Sequence, residues 1–208
     1  MEMIEIDGKE MSMIEFIEKN IQQVVEKRSK EPSRVCGKKH ENGFFYSEDD
    51  FQISLVRAFE KYYPGIKVFY ELNRRDIVLE LNGKEEYQIE LKYSYVYDKY
   101  NSGTKLDDII YYKLGMDIKF INDFFKDPNM EAGYFVLLAK RDDKLNILDL
   151  LKKHPCKIEG GKCNGIIEYG KSQKIVIKNP SLIKYDEIDN YQYLIMEILK
   201  NNLDVINK

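Results

Sequence analysis

Long apolar runs are missing from this chain. No stretch approaches the ~20 residues that a membrane-spanning helix needs. The N-terminal MEMIEIDGKE is acidic and has no apolar signal core. Cysteine is scarce and odd in number, at three, which does not suit the paired framework of a secreted disulfide protein. Five prolines and 12 glycines among 208 residues exclude a collagenous or low-complexity chain. An excess of one charge is missing too: 33 Lys+Arg stand against 36 Asp+Glu, a net charge of −3. That balance excludes a strongly basic protein that coats nucleic acid, while leaving room for a local basic groove. A soluble, cytoplasmic protein with no membrane partner is expected.

What is present suits one domain. Hydrophobic residues make up 43% of the chain, enough for a real core, and 33% are charged. No linker or repeat divides residues 1–208. Residues 11–27 carry a helical stripe of Met13, Phe16, Ile17, Ile21, Val24 and Val25. The stretch 27–40 is the most basic in the chain and reads as a loop, so residues 1–44 form an N-terminal helix and basic loop. Ser47 is placed to cap a second helix, with Glu48, Asp49 and Asp50 in its first turn, running to Tyr62 before Pro64-Gly65. Strand patterns follow over 66–72, 76–81 and 86–92, then a tyrosine-rich loop over 93–104. A helix is expected over 106–125, and the apolar GYFVLLA (133–139) reads as a buried strand. In the extension 141–208, the pattern predicts short strands near 145–148, 165–169 and 174–178, then a helix over 186–201.

Within 45–140, side-chain direction brings charged residues together. Residues two apart in a strand share a face, so Gln88, Glu90 and Lys92 point one way and Tyr87, Ile89 and Leu91 the other. A two-residue Asn82-Gly83 hairpin loop would pair Ile77 with Gln88 and Leu79 with Glu86. A three-residue loop over 82–84 pairs Ile77 with Ile89 and Leu79 with Tyr87 instead. The second matches apolar with apolar, and a one-residue slip reverses every face, so the second is expected. It sets Asp76 opposite Glu90, beside Lys92. On the preceding helix Glu48 falls in the stripe of Phe51, Leu55, Phe59 and Tyr62, and an inward acid needs a partner. Gln52 lies one turn along the same face and is read as a packing or surface residue.

The run DIVLELNGKEEYQIELK, with Asp76 and then Glu90-Leu91-Lys92, resembles the PD-(D/E)xK nuclease superfamily, the restriction-endonuclease-like fold. Arg74-Arg75 before the motif, the helix after it and the GYFVLLA strand fit as well, over roughly residues 45–140. Arg75 stands where the family often has proline. The resemblance implies an α/β fold with an αβββαβ core: a central mixed sheet flanked by helices 48–62 and 106–125, plus an N-terminal helix and a C-terminal α+β extension. It implies a Mg²⁺-dependent phosphodiesterase, with Mn²⁺ as substitute, acting as an endonuclease on nucleic acid, DNA ahead of RNA, in restriction, defence or repair. Asp76, Glu90 and the Leu91 carbonyl would hold the metal, Lys92 would orient water or stabilise the phosphorus centre, and Glu48 would bind or position the ion. Enzymes of this kind often work as a homodimer, though no interface is legible here. The rival classes are a nuclease-fold binding module without catalysis and a structural protein whose acids are surface ion pairs.

Other features take blander readings. Cys36 with His40, and His154 with Cys156 and Cys163, supply enough ligands for a structural Zn²⁺, but their spacing matches no standard finger. Reduced thiols and surface histidines are expected. Lys152, Lys153, Lys157 and Lys162 make a basic loop that could touch phosphate. Tyr93, Tyr95, Tyr97 and Tyr100 read as packing under a loop, and Lys113, Asp117 and Lys119 as a solvated helix face.

Overall fold

The computed structural model describes residues 3–6, 9–30, 34–35, 38–39, 45, 47–81, 83, 85–94, 105–141, 146–169 and 173–207. The chain opens with a small hairpin of β1 (Met3–Ile6) and β2 (Lys9–Ser12), followed by α1 (Met13–Lys30). The expected apolar stripe of α1 is buried throughout. In the basic stretch, residues 27–30 extend α1, and β3 (Arg34–Val35) pairs with β4 (Lys38–Lys39). Helix α2 (Glu48–Tyr62) starts where expected, because the Ser47 hydroxyl accepts from Asp50 N at 3.1 Å. Tyr62 departs from its expected stripe. It is exposed, and Ala58 and Tyr63 take the inward positions.

Strands β5 (Lys67–Leu72), β6 (Arg75–Leu81) and β7 (Glu85–Ser94) form an antiparallel meander. A long helical passage follows, from α3 (Leu106–Asp108) through a π-helical turn (Ile109–Lys113) into α4 (Leu114–Phe124). The wide turn puts Ile109 and Leu114, five apart, both inward. This crossover allows β8 (Met130–Lys140) to lie parallel to β7, as a parallel neighbour requires.

The C-terminal third completes the sheet rather than hanging from it. After the short α5 (Ile147–Leu151) come β9 (Cys156–Glu159), β10 (Lys162–Tyr169), β11 (Gln173–Ile188), β12 (Tyr191–Leu199) and β13 (Leu203–Asn207). The nine-stranded mixed sheet runs β5-β6-β7-β8-β12-β11-β10-β9, with β13 also on β11. Two expectations are corrected here. Residues 147–151 are helical, where a strand was predicted over 145–148. The helix predicted over 186–201 is instead the end of β11, a turn, and β12. YQYLIMEIL is apolar almost throughout, because β12 lies between β8 and β11 with both faces covered. Such a run has no period to separate helix from strand.

The architecture is α/β, a large mixed sheet flanked by helices. One core lies under α1 and α2, where Phe16, Ile21, Phe51 and Phe59 meet Tyr87, Ile89, Leu91 and Tyr193. The other encloses α3–α4 between the sheet and the C-terminal strands, with Ile118 and Ile121 against Phe135, Met196, Ile175 and Leu203.

Candidate active site

The β6–β7 register is the one the apolar pattern favours: Ile77 pairs with Ile89 and Leu79 with Tyr87, around a three-residue connection. One step further along that register, Asp76 faces Glu90. Strand β6 begins at Arg75 while β7 runs on to Ser94, so the last residues of β7 have no β6 backbone to pair with. Carboxylates take that place. Leu91 N donates to Asp76 Oδ2 at 2.7 Å, and Tyr93 N donates to Glu48 Oε2 at 3.0 Å.

Lys92 is at the centre. Its Nζ donates to the Leu91 carbonyl at 2.6 Å and lies 3.4 Å from Glu48 Oε1, 3.7 Å from Asp117 Oδ2 and 3.9 Å from Asp76 Oδ2. Glu90 is 4% exposed and accepts from Gln88 Nε2 at 2.5 Å. Gln52, 2% exposed, donates to the Asp76 carbonyl at 2.7 Å and holds the strand from beneath. It is a packing residue, as expected, and also a support for the site.

Asp117 is a correction. It was expected on a solvated helix face, yet it reaches inward to Lys92, and its Oδ2 is buried without a hydrogen-bond partner. The signal was present in the sequence. Asp117 is three residues after Leu114 and four before Ile121, inside the apolar stripe of α4. Gly133 lets α4 come this close. A Cβ there would sit 2.0 Å from Ile121 Cγ2, one helical turn from Asp117.

The backbone beside Asp76 is strained. Asn73 and Arg74 both have positive φ, 53° and 70°, in the tight β5–β6 turn, and Glu71 has φ 55°. The ladder skips the Glu71–Asp76 pair, so the Asp76 carbonyl takes its hydrogen bond from Gln52. Such strain concentrates at functional sites. Next to it, Arg75 is buried, paired with Glu86 at 2.9 Å and stacked on Phe124.

Four carboxylates here surround one ammonium, an excess of three negative charges when all are ionised. Burial pushes the Glu90 carboxyl up to about 8, and repulsion from Asp76 adds to it. Burial raises Asp117 to about 6, against the pull of Lys92. Asp76 is raised by burial, with Lys92 and the Leu91 N–H opposing. Burial would lower Lys92, but Asp117, Glu48, Asp76 and Glu90 together hold it above its ordinary value.

An acidic pocket whose candidate ligand atoms are all oxygens suits a hard divalent cation. Among the described residues no three His, Cys, Asp or Glu groups stand close enough to form a ready-made cage. Mg²⁺ does not require one, since it binds through one or two carboxylates and keeps several waters. Asp76 and Glu90 would supply those carboxylates, and Asp117 Oδ2 and Gln88 Oε1, both without a hydrogen bond, are further buried oxygens. The Leu91 carbonyl is held by Lys92, and both Glu48 oxygens by Lys92 and Tyr93 N.

The remaining candidates lie elsewhere. Tyr93 is buried in an aromatic cluster with Phe45, Phe51 and Tyr191. Tyr95, Tyr97, Tyr100, Cys36 and His40 fall outside the described residues. His154 is buried, not at the surface, and its Nε2–H donates to the Ile110 carbonyl in the π turn at 3.0 Å. Cys156 and Cys163 are free thiols on neighbouring strands. Lys113 is exposed, and Lys119 pairs with Asp123. No described helix is long and apolar enough to cross a membrane. No protein-family model, curated protein or solved structure matches this chain.

Proposed function

We propose that the protein is a divalent-metal-dependent nuclease, with the segment from α2 to β8 serving as a PD-(D/E)xK-type core. One observation carries this reading: Asp76, Glu90 and Lys92 converge on one sheet face, in a buried pocket with more acid than its single lysine can balance. The order helix, three antiparallel strands, helix, parallel strand supports it. So does the oxygen-only donor set.

Asp76 and Glu90 would hold Mg²⁺. When bound, the ion would supply an acidified water and neutralise charge developing on the phosphate. The chain's own residues do the rest. Lys92, fixed between Glu48 and Asp117, presents an ammonium to the phosphate oxygen that gains charge as water attacks phosphorus and the ester oxygen departs. Glu48 positions Lys92 and the end of β7, because both of its oxygens are already engaged. Gln52 fixes the backbone of Asp76.

The test is cleavage of plasmid, single-stranded DNA and RNA by wild type and Glu90→Gln, with Mg²⁺, Mn²⁺ or EDTA. Thermal stability is followed under the same conditions. Cleavage by wild type alone, abolished by EDTA, is expected, together with Mg²⁺ stabilisation of wild type that Glu90→Gln loses. Nucleic-acid binding with neither cleavage nor Mg²⁺ stabilisation would overturn the reading in favour of a binding module.

A further inference from the structure

An acidic site in a chain of net charge −3 repels a polyanion, so a nucleic acid needs a basic surface elsewhere to hold it. The described residues offer two candidates. The β9–β10 hairpin is one, but Lys157 pairs with Glu159 there, and nearby Lys152 pairs with Asp149. The second is a cleft of about 470 Å³ between α1 and α2. Its basic walls are Lys27 and Arg28 from α1 and Arg57 and Lys61 from α2, with Asp50 as its single acid.

The placement follows from the two helices. The end of α1 lies beside the start of α2, where Arg28 pairs with Asp50 and its guanidinium covers the Phe45 ring. That pair consumes the one acid in the cleft. Arg57 and Lys61 are four residues apart on the same face of α2, both exposed, and neither has an acidic partner among the described residues. Lys61 lies over the Tyr62 ring, itself exposed at the far end of the cleft. From Asp50 to Lys61 the helix rises about 16 Å. Glu48 and Asp50 share the first turn of α2. By helix geometry Asp50, Arg57 and Lys61 lie on the side of α2 turned away from Glu48, so the cleft is a surface separate from the acidic pocket.

We infer that the α1–α2 cleft binds the phosphodiester backbone of the nucleic acid, apart from the site at Asp76 and Glu90. The occupant follows from charge complementarity, and its identity as a polynucleotide rests on the nuclease reading. The cleft supplies affinity that the acidic pocket cannot, and its contacts are to phosphate, so it adds holding power rather than sequence preference.

The test is fluorescence anisotropy with labelled duplex and single-stranded oligonucleotides in EDTA, where binding is separate from cleavage, between ~50 and ~200 mM salt. Arg57→Glu/Lys61→Glu is expected to weaken binding about tenfold or more. Arg57→Gln/Lys61→Gln, the milder variant should charge reversal disturb folding, should flatten the slope of log affinity against log salt by about 2. Lys157→Glu, on the self-neutralised hairpin, should leave both unchanged. Equal binding by wild type and both double variants would overturn the inference, as would no binding by wild type. So would polyglutamate binding as tightly as the oligonucleotide, which would make the cleft a dock for an acidic protein segment. Cleavage tested alongside separates the two readings. Cleft variants that bind and cut normally defeat the cleft and leave the nuclease standing. Salt-sensitive binding that depends on the cleft, without cleavage under any metal, defeats the nuclease and leaves the cleft.

Discussion

Strand β7 turns two unlike faces to two layers of helices. Toward α1 and α2 it presents Tyr87, Ile89, Leu91 and Tyr93, all buried among apolar side chains. Toward α4 it presents Gln88, Glu90, Lys92 and Ser94, of which Gln88, Glu90 and Ser94 are as buried as the apolar set, and Lys92's side chain is only 12% exposed. The first face gains from every atom removed from water. The second loses solvation on each charge and recovers it only through Lys92 and a few hydrogen bonds. A chain selected for stability alone would fill both faces the same way. The polar face is therefore the part of the strand from which folding gains least.

The sharpest way to break that comparison is to remove the ammonium. Lys92→Met should cost about 3–5 kcal/mol in denaturant unfolding at pH 8, since it leaves buried carboxylates uncompensated. A loss below about 1 kcal/mol would mean that the acids are hydrated or protonated and the two faces less different than they look. Next come adjacent residues on opposite faces. Leu91→Ala should cost about 2–5 kcal/mol by opening a cavity. Glu90→Gln should be neutral or stabilising, because it removes a buried acid, while cutting the proposed metal-dependent cleavage by ~100-fold. If Glu90→Gln destabilises like Leu91→Ala, the pocket is ordinary structure.

Gly133 sharpens the comparison from the helix side. It lies beside Gln88 in the parallel pair and receives Ile121 of α4. Gly133→Val should cost about 1–3 kcal/mol through overpacking. Ile121→Ala in the same chain should recover part of it, in a double-mutant cycle read by thermal unfolding.

The pH dependence is a gentler probe of the same face. Glu90 and Asp117 are held above their unfolded values, to about 8 and about 6. Between an ordinary carboxylate pKa and those values, the folded state binds more protons than the unfolded one. Stability without added metal should therefore fall as pH rises from about 5 to about 8, by at most about 1.4 kcal/mol per pH unit per group. Lys92, also raised, adds stability that is lost only above the ordinary lysine range, outside this window. Glu90→Gln should flatten the fall between about 6 and 8, and Mg²⁺ should oppose it. A wild-type profile flat across the window would remove the electrostatic contrast between the faces.

How much of this was legible in the sequence divides along the same line. Elements whose two faces differ in polarity carry a period, so α1, α2 and the β5–β7 meander can be read directly. The register followed from pairing Ile77 with Ile89, and with it the shared face of Asp76, Glu90 and Lys92. Where both faces are apolar the period vanishes, and the pattern of β12 reads as a helix. Asp117 was missed for a related reason. A single charge was read as a sign of solvent, although Leu114 and Ile121 around it already placed it inward, by the reasoning applied to Glu48. The π turn before it is not legible either, because no residue type in Ile109–Lys113 separates a π turn from an α turn. The closeness of α4 to β8 depends on one missing Cβ at Gly133, which matters only once the two elements are known to meet.

The smallest expected effect supplies the baseline for all the others. Lys157 and Glu159 form an ion pair at 2.7 Å, closer than any of the three contacts between Lys92 and its carboxylates, yet their side chains are 75% and 73% exposed. Water screens both charges before and after the pair forms, and holding two long side chains in place costs entropy. Lys157→Ala should therefore change stability by about 0–1 kcal/mol in the same unfolding assay that reads Lys92→Met. Distance alone would rank these two lysines the other way round. If they respond in that order, proximity governs the charges of this protein. If Lys92→Met has several times the effect of Lys157→Ala, burial governs them, and the pocket around Lys92 is a place where the fold sacrifices stability to keep acids together.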